Sequence, residues 1–300
     1  MKKLLTIFIY LNIACAYGGA IDFSVKIIYL KQDADLTNKL RIFEESLERQ
    51  MDNYDWKFPH NDFEKIETSI NINIESLSSE KNGTGMLIIS SGPATSAVKE
   101  IALKKDIYYS EQDMAFTLDY EADPKLDRME PGTIETAVMF YSYLVLGENF
   151  DRLSYTDQKN FKLEGDYYYQ KLYEFENLLT AAAERTVWSK RLDIINMYRM
   201  NTKLEIRKLH AYIYNAVYFI NSGKKKRAKL FVEPMYESMT KVFDFPQNFF
   251  MNNFYAFGEI FSLSDDEKHI RYLIDKDPSH ESFYSQKLRK SQENNIKKSE

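Results

Sequence analysis

Only one cysteine, Cys15, occurs in 300 residues, and it sits in a segment with the marks of an export signal. Lys2 and Lys3 form a positive start. Leu4 to Ala14 is an apolar run broken only by Thr6 and Asn12, and Ala14-Cys15-Ala16 places small residues where a signal peptidase reads. Residues 1–16 are therefore read as a signal peptide, with Tyr17 as the first mature residue. The mature chain then has no cysteine, which excludes a disulfide framework, a zinc–thiolate site and a cysteine nucleophile. The alternative is lipidation. In a bacterial lipoprotein the cysteine ending the apolar run becomes the acylated N-terminus; Ala14 suits that pattern, and Asn12 stands where leucine is usual.

Basic charge is also short. Lys and Arg number 40 against 45 Asp and Glu, a net charge of −5, or −7 once Lys2 and Lys3 are removed. Nucleic-acid binding needs a basic surface and is not expected. No second apolar run reaches the roughly 20 residues of a membrane span, so no transmembrane helix is expected after signal removal. Seven prolines and ten glycines leave no low-complexity linker.

Patterns for catalysis are missing as well. The four histidines, His60, His210, His269 and His280, show no metal-ligand spacing. There is no phosphate-binding loop, dinucleotide fingerprint or Gly-x-Ser-x-Gly elbow. Ser90-Ser91-Gly92-Pro93 reads as a turn closing a strand. Asp119, Glu121, Asp123 and Asp127 lack the glycine and closing glutamate of a calcium loop, and read as a solvated connection. No catalytic, cofactor-binding or metal-binding residue is assigned, and no cofactor is expected.

Aromatic residues, in contrast, are abundant: 22 Tyr and 20 Phe. Successive helical residues point about 100° apart, so Tyr167, Tyr168 and Tyr169 cannot all face one core. At least one is expected to be exposed or engaged, and the three are the candidate interaction residues. Lys224 to Arg227 is a basic run after a helix end. It complements the helix dipole, with an anionic headgroup site as the functional alternative.

The hydrophobic period divides the chain. Residues 17–128 read as an α+β sheet domain of roughly four or five strands with one packed helix. Ile66, Ile70, Ile72 and Ile74 alternate with polar residues in its clearest strand, and Asn82-Gly83 supplies turn chemistry. Leu36, Leu40, Phe43, Leu47 and Met51 mark the helix, with Asp35 as its cap. Residues 129–288 read as a helical bundle of about six helices, and residues 289–300 as a polar tail. The bundle's stripes begin at Ile134, Tyr168, Ile206, Ala228 and Phe250. Gly147 and Gly223 are expected to end helices, Pro234 to kink or restart one, and Ser264 with Glu267 to open the last through a capping box.

Several strings, in this order, resemble the PorD-like family associated with type IX secretion and gliding. They start at Val25-Lys26-Ile27 and Ile42-Phe43-Glu44-Glu45-Ser46-Leu47, then Trp56 and Phe63-Glu64-Lys65-Ile66. The strongest is Ala137 through Gly147, followed by Asn149-Phe150-Asp151. Phe249 to Phe261, Ile274-Asp275-Lys276-Asp277-Pro278 and Tyr284 complete the series. The chain departs from the family at Ser91-Gly92-Pro93-Ala94 and Ser154-Tyr155-Thr156-Asp157. The resemblance implies a periplasmic, non-catalytic accessory protein whose partners are envelope proteins of a secretion machine. The competing expectations are an outer-membrane lipoprotein acting as tether or ligand-binding module, and a periplasmic hydrolase with a site at the sheet–helix junction.

Overall fold

The computed structural model describes residues 21–29, 33–57, 66–92, 107–153, 163–181, 186–199, 201–243, 245 and 249–299. Residues 1–16 with Cys15, as well as His60 and Ser154 to Asp157, lie outside them. The architecture is α+β, a four-stranded sheet followed by helices. Two compact units form: Met1–Ser90 with Ser110–Met139, and Ser91–Tyr109 with Phe140–Glu300.

The sheet runs β1 (Ile21–Tyr29), β2 (Ile66–Leu77), β3 (Asn82–Ser91) and β4 (Ile107–Thr117), in that spatial order. Helix α1 (Ala34–Asn53) connects β1 to β2, which pair in parallel with Val25 opposite Ile70 and Ile27 opposite Ile72. Ile66, Ile70, Ile72 and Ile74 are all buried, while Asn71 and Asn73 are half-buried on the other face. Leu40, Phe43, Leu47 and Met51 are the buried face of α1. The Trp56 indole, also buried, donates to the Met51 carbonyl at 2.8 Å and packs 5.3 Å from the Phe23 ring.

Two local expectations fail here. The cap of α1 is Asp33, whose carboxylate accepts the Leu36 N–H at 3.0 Å; Asp35 lies two residues later, inside the first turn. Asn82-Gly83 is not the turn either. Ser78 to Lys81 turns the chain, with Lys81 at φ 66, and Asn82 already opens β3. Gly83 is instead demanded by the neighbouring strand, since a Cβ there would come within 2.6 Å of the Phe116 ring. The acidic connection after β4 is fastened to its own unit: Asp119 and Glu121 pair with Lys81, Glu121 also with Lys39, and Ser46 donates to Asp123 at 3.0 Å.

Nine α-helices and one 3₁₀ turn follow the sheet among the described residues, against the six expected. They are α2 (Ile134–Leu153), α3 (Asp166–Ala181), α4 (Thr186–Arg199), α5 (Asn201–Asn221), α6 (Lys225–Lys229), α7 (Val232–Thr240), α8 (Phe249–Phe261), α9 (Lys268–Lys276) and α10 (Glu281–Ser299). The stripe from Ala228 to Val242 is two helices, because Pro234 falls in the first turn of α7, where its missing N–H costs nothing. Helix α4 carries too weak a stripe to be read. The polar tail is largely the second half of α10: nothing from Glu281 to Ser299 breaks a helix.

Helix α2 contains the boundary between the units. Residues 136–151 are buried on every side, not along one stripe, as befits a helix apolar all round. Gly147 does not end it. A Cβ at Gly147 would lie 3.0 Å from Cζ of Tyr169, so the glycine admits a ring rather than a turn. Gly223 does end α5: at φ 70 it donates to the Ile220 carbonyl while the Lys224 N–H reaches Phe219, a Schellman closure.

Candidate functional site

The polar groups of the second unit gather around two acids one turn apart on α2, Glu148 and Asp151. Both are buried, because the helix carrying them is buried from residue 136 to residue 151. Glu148 accepts from the hydroxyls of Tyr109 and Tyr198, which lie 2.9 Å from each other. Burial, reinforced by the Glu148 charge, pushes both tyrosines well above the ordinary phenol range. They are donors here, not bases.

Asp151 accepts two hydrogen bonds from the Arg207 guanidinium, one at 3.0 Å from Nη2, and a third from the Gly165 N–H at 3.0 Å. The same guanidinium reaches Asp166 at 2.7 Å and lies 4.1 Å from the Tyr169 ring centre. Burial raises the Asp151 carboxyl to about 6, although Arg207 opposes the shift. Burial also works against the Arg207 charge, but its bonds to Asp151 outweigh that and raise its pKa. Lys203, Arg207 and His210 share one face of α5 at helical spacing. Burial lowers Lys203 and takes His210 down to about 4, so the imidazole is neutral at neutral pH.

Close backbone approach makes this geometry possible. A Cβ on Gly165 would come within 2.3 Å of the Gly147 carbonyl oxygen and 2.6 Å of Asp151 Oδ1. The two glycines thus bring the start of α3 onto α2, and place Tyr169 between Gly147 and Arg207. Next to Glu148, Asn149 donates to the Ser91 hydroxyl at 2.6 Å.

Of the three candidate tyrosines, Tyr168 and Tyr169 are buried and Tyr167 is half-buried. Tyr168 stacks on Phe150 at 4.9 Å, and Tyr169 on Tyr198 at 4.7 Å. Tyr169 belongs to the acid–base cluster, and its buried hydroxyl has no hydrogen-bond partner among the described residues. Sequence reasoning missed Glu148, Asp151, Tyr109, Tyr198, Lys203 and Arg207. One signal was available, Glu148 and Asp151 one turn apart just after the apolar run at residues 137–146; their partners are too distant in sequence for local spacing to identify.

His269 and His280 take structural posts. Ser264 does not form the expected capping box; Glu267 is the residue preceding α9. The Ser264 hydroxyl bonds His269 Nδ1 at 2.7 Å, and His269 Nε2 bonds Glu233 at 2.8 Å. Serine, histidine and acid stand in line, yet the Ser264 oxygen already accepts the Asp266 N–H at 3.0 Å. The line closes the approach to α9 and ties it to α7. Asp277, buried, bonds His280 at 2.7 Å and accepts from the Tyr284 hydroxyl at 2.8 Å. Among the described residues no group of three His, Cys, Asp or Glu could hold a metal ion, and no helix is long and apolar enough to cross a membrane.

No protein-family model, no curated protein and no solved structure matches the chain.

Proposed function

We propose that this is an exported, non-catalytic binding protein of a Gram-negative envelope, an accessory of a type IX secretion machine of the PorD-like kind, with envelope proteins as its partners. Export is supported by Lys2, Lys3 and the apolar run to Ala14. One observation carries the reading: strings on which the resemblance rests also supply fastenings of the interior. Trp56 closes α1, Gly147 receives Tyr169, Asn149 and Asp151 hold Ser91, Gly165 and Arg207, and Asp277 holds Tyr284. A shared fold would keep such residues in order while its surface drifts.

Crosslinking in the native envelope, with identification of the captured proteins, tests the reading. Secretion-machine components are expected, along with a mature N-terminus at Tyr17. An acylated Cys15 in that measurement would favour the lipoprotein form. Retention in the cytoplasm, or normal secretion in a deletion strain, would remove the proposal. So would turnover of a peptide, ester or glycoside that is lost on replacing Ser264, His269 or Glu233.

A further inference from the structure

The corner between α5 and α6 is cationic in a chain that is otherwise acidic. No Asp or Glu occurs between Glu205 and Glu233, whereas Lys224, Lys225, Lys226, Arg227 and Lys229 fall within six residues. Ser222 to Arg227 are all exposed. The Schellman closure at Gly223 fixes the corner, because Gly223 and Lys224 both donate back into α5. Among the described residues Lys229 pairs with Asp265, while Lys224, Lys225 and Lys226 have no carboxylate within ion-pair distance. Arg227 lies over the Phe219 ring at 5.7 Å, which holds its guanidinium against the body of the unit.

Apolar side chains flank the charges. Leu230 is 56% exposed directly after Lys229, and Tyr218 is 37% exposed one turn before Ser222. Complementing the α5 dipole would need one or two cations in its last turn, not five. An apolar side chain beside a cluster of lysines is the composition that suits a lipid–water interface, where a leucine can enter between headgroups and an aromatic ring can lie among them.

We propose that this corner docks on an anionic bilayer surface, with Lys224, Lys225 and Lys226 facing lipid phosphates and Leu230 inserted between headgroups. Net negative charge elsewhere would turn the rest of the molecule away from the same surface, so docking fixes orientation as well as location. The assignment stands on the corner's own residues and is independent of the secretion reading.

Co-sedimentation of the mature chain with phosphatidylcholine vesicles, with and without phosphatidylglycerol, tests it. Binding is expected only with phosphatidylglycerol and should weaken as ionic strength rises. Each lysine near such a surface contributes a factor of about 5 in affinity, so Lys224→Gln/Lys225→Gln/Lys226→Gln should bind roughly 100-fold more weakly. These side chains are exposed, so the variant should melt with the wild type. Leu230→Ser should weaken binding and leave the salt dependence unchanged. Equal binding to neutral vesicles, or a triple variant that binds normally, would overturn the proposal. So would displacement from vesicles by inorganic phosphate at constant ionic strength, which would mark a discrete phosphate site instead of a bilayer face.

Discussion

The backbone N–H of Val25 donates to the carboxylate of Glu48 at 2.9 Å, across the free edge of the sheet. The same relationship holds for Phe23 with Asp52 at 2.9 Å and for Ile27 with Glu44. Among the described residues β1 pairs only with β2, so its alternate N–H groups face outward and would template a foreign strand. Four residues of helix rise about 6 Å, and two of strand about 6.6 Å, so acids four apart on α1 match donors two apart on β1.

Replacing Glu44, Glu48 and Asp52 together with Ala should therefore open that edge. Association beyond that of the wild type is expected, rising with concentration in light scattering. A Gln, Gln, Asn triple keeps an acceptor oxygen at each place and should behave as the wild type. Identical scattering from the alanine and amide variants would mean that something other than these acceptors closes the edge.

Gly147 tests a different kind of contact. Adding a methyl group at a site 3.0 Å from the Tyr169 ring forces the ring to move, and overpacking of this sort costs about 1–3 kcal/mol. Alanine gains about 1 kcal/mol of helix propensity over glycine, so Gly147→Ala should lower stability to urea by the remainder, about 0–2 kcal/mol. Tyr169→Leu should recover part of the loss when combined with it. Simple additivity in the double variant would show that the two residues do not compete for space.

Gly147 also marks where sequence reasoning gives out. A glycine closing Leu144-Val145-Leu146 has the local look of a helix stop, and only the ring of Tyr169, from another helix, makes it an interior residue. Period-two burial in β2 and the buried faces of α1 and α5 were legible because each is a property of neighbouring residues. The acid–base cluster was not, since Glu148 reaches 39 residues back to Tyr109 and 50 forward to Tyr198, and Asp151 reaches 56 forward to Arg207. The Asp33 cap was missed because a better-placed acid stood two residues away from the one chosen.

The strand register of β2 makes a sharp contrast available. Ile70 and Ile72 are fully buried, and Asn71 between them lies on the opposite, half-open face. Ile70→Asp or Ile72→Asp buries a carboxylate without a partner, at a cost of several kcal/mol, on the order of the whole stability of a domain. Neither should give soluble protein. Asn71→Asp should shift the thermal midpoint by little. Equal disruption by the two classes would show the register to be wrong.

Asp151 should impose a pH dependence whose sign can be worked out. Its folded-state pKa, about 6, lies above the ordinary aspartate value of 3.8 because burial penalises the charge. Below about 4 the carboxyl is protonated in both states, and the folded state has no charge to bury. Between about 4 and 6 the unfolded chain ionises while the folded one holds its proton, so the free energy of unfolding falls as pH rises. Above 6 both are ionised, and the loss levels off on the order of 3 kcal/mol. Asp151→Asn cannot titrate, although its amide oxygen can still accept from Gly165 N. The wild-type value minus the variant value should therefore decrease from about pH 4 to about pH 6 and stay flat beyond. Urea titrations of both proteins across that range measure the difference directly. A difference that grows with pH instead would mean that Arg207 outweighs burial and holds the carboxyl below its ordinary range.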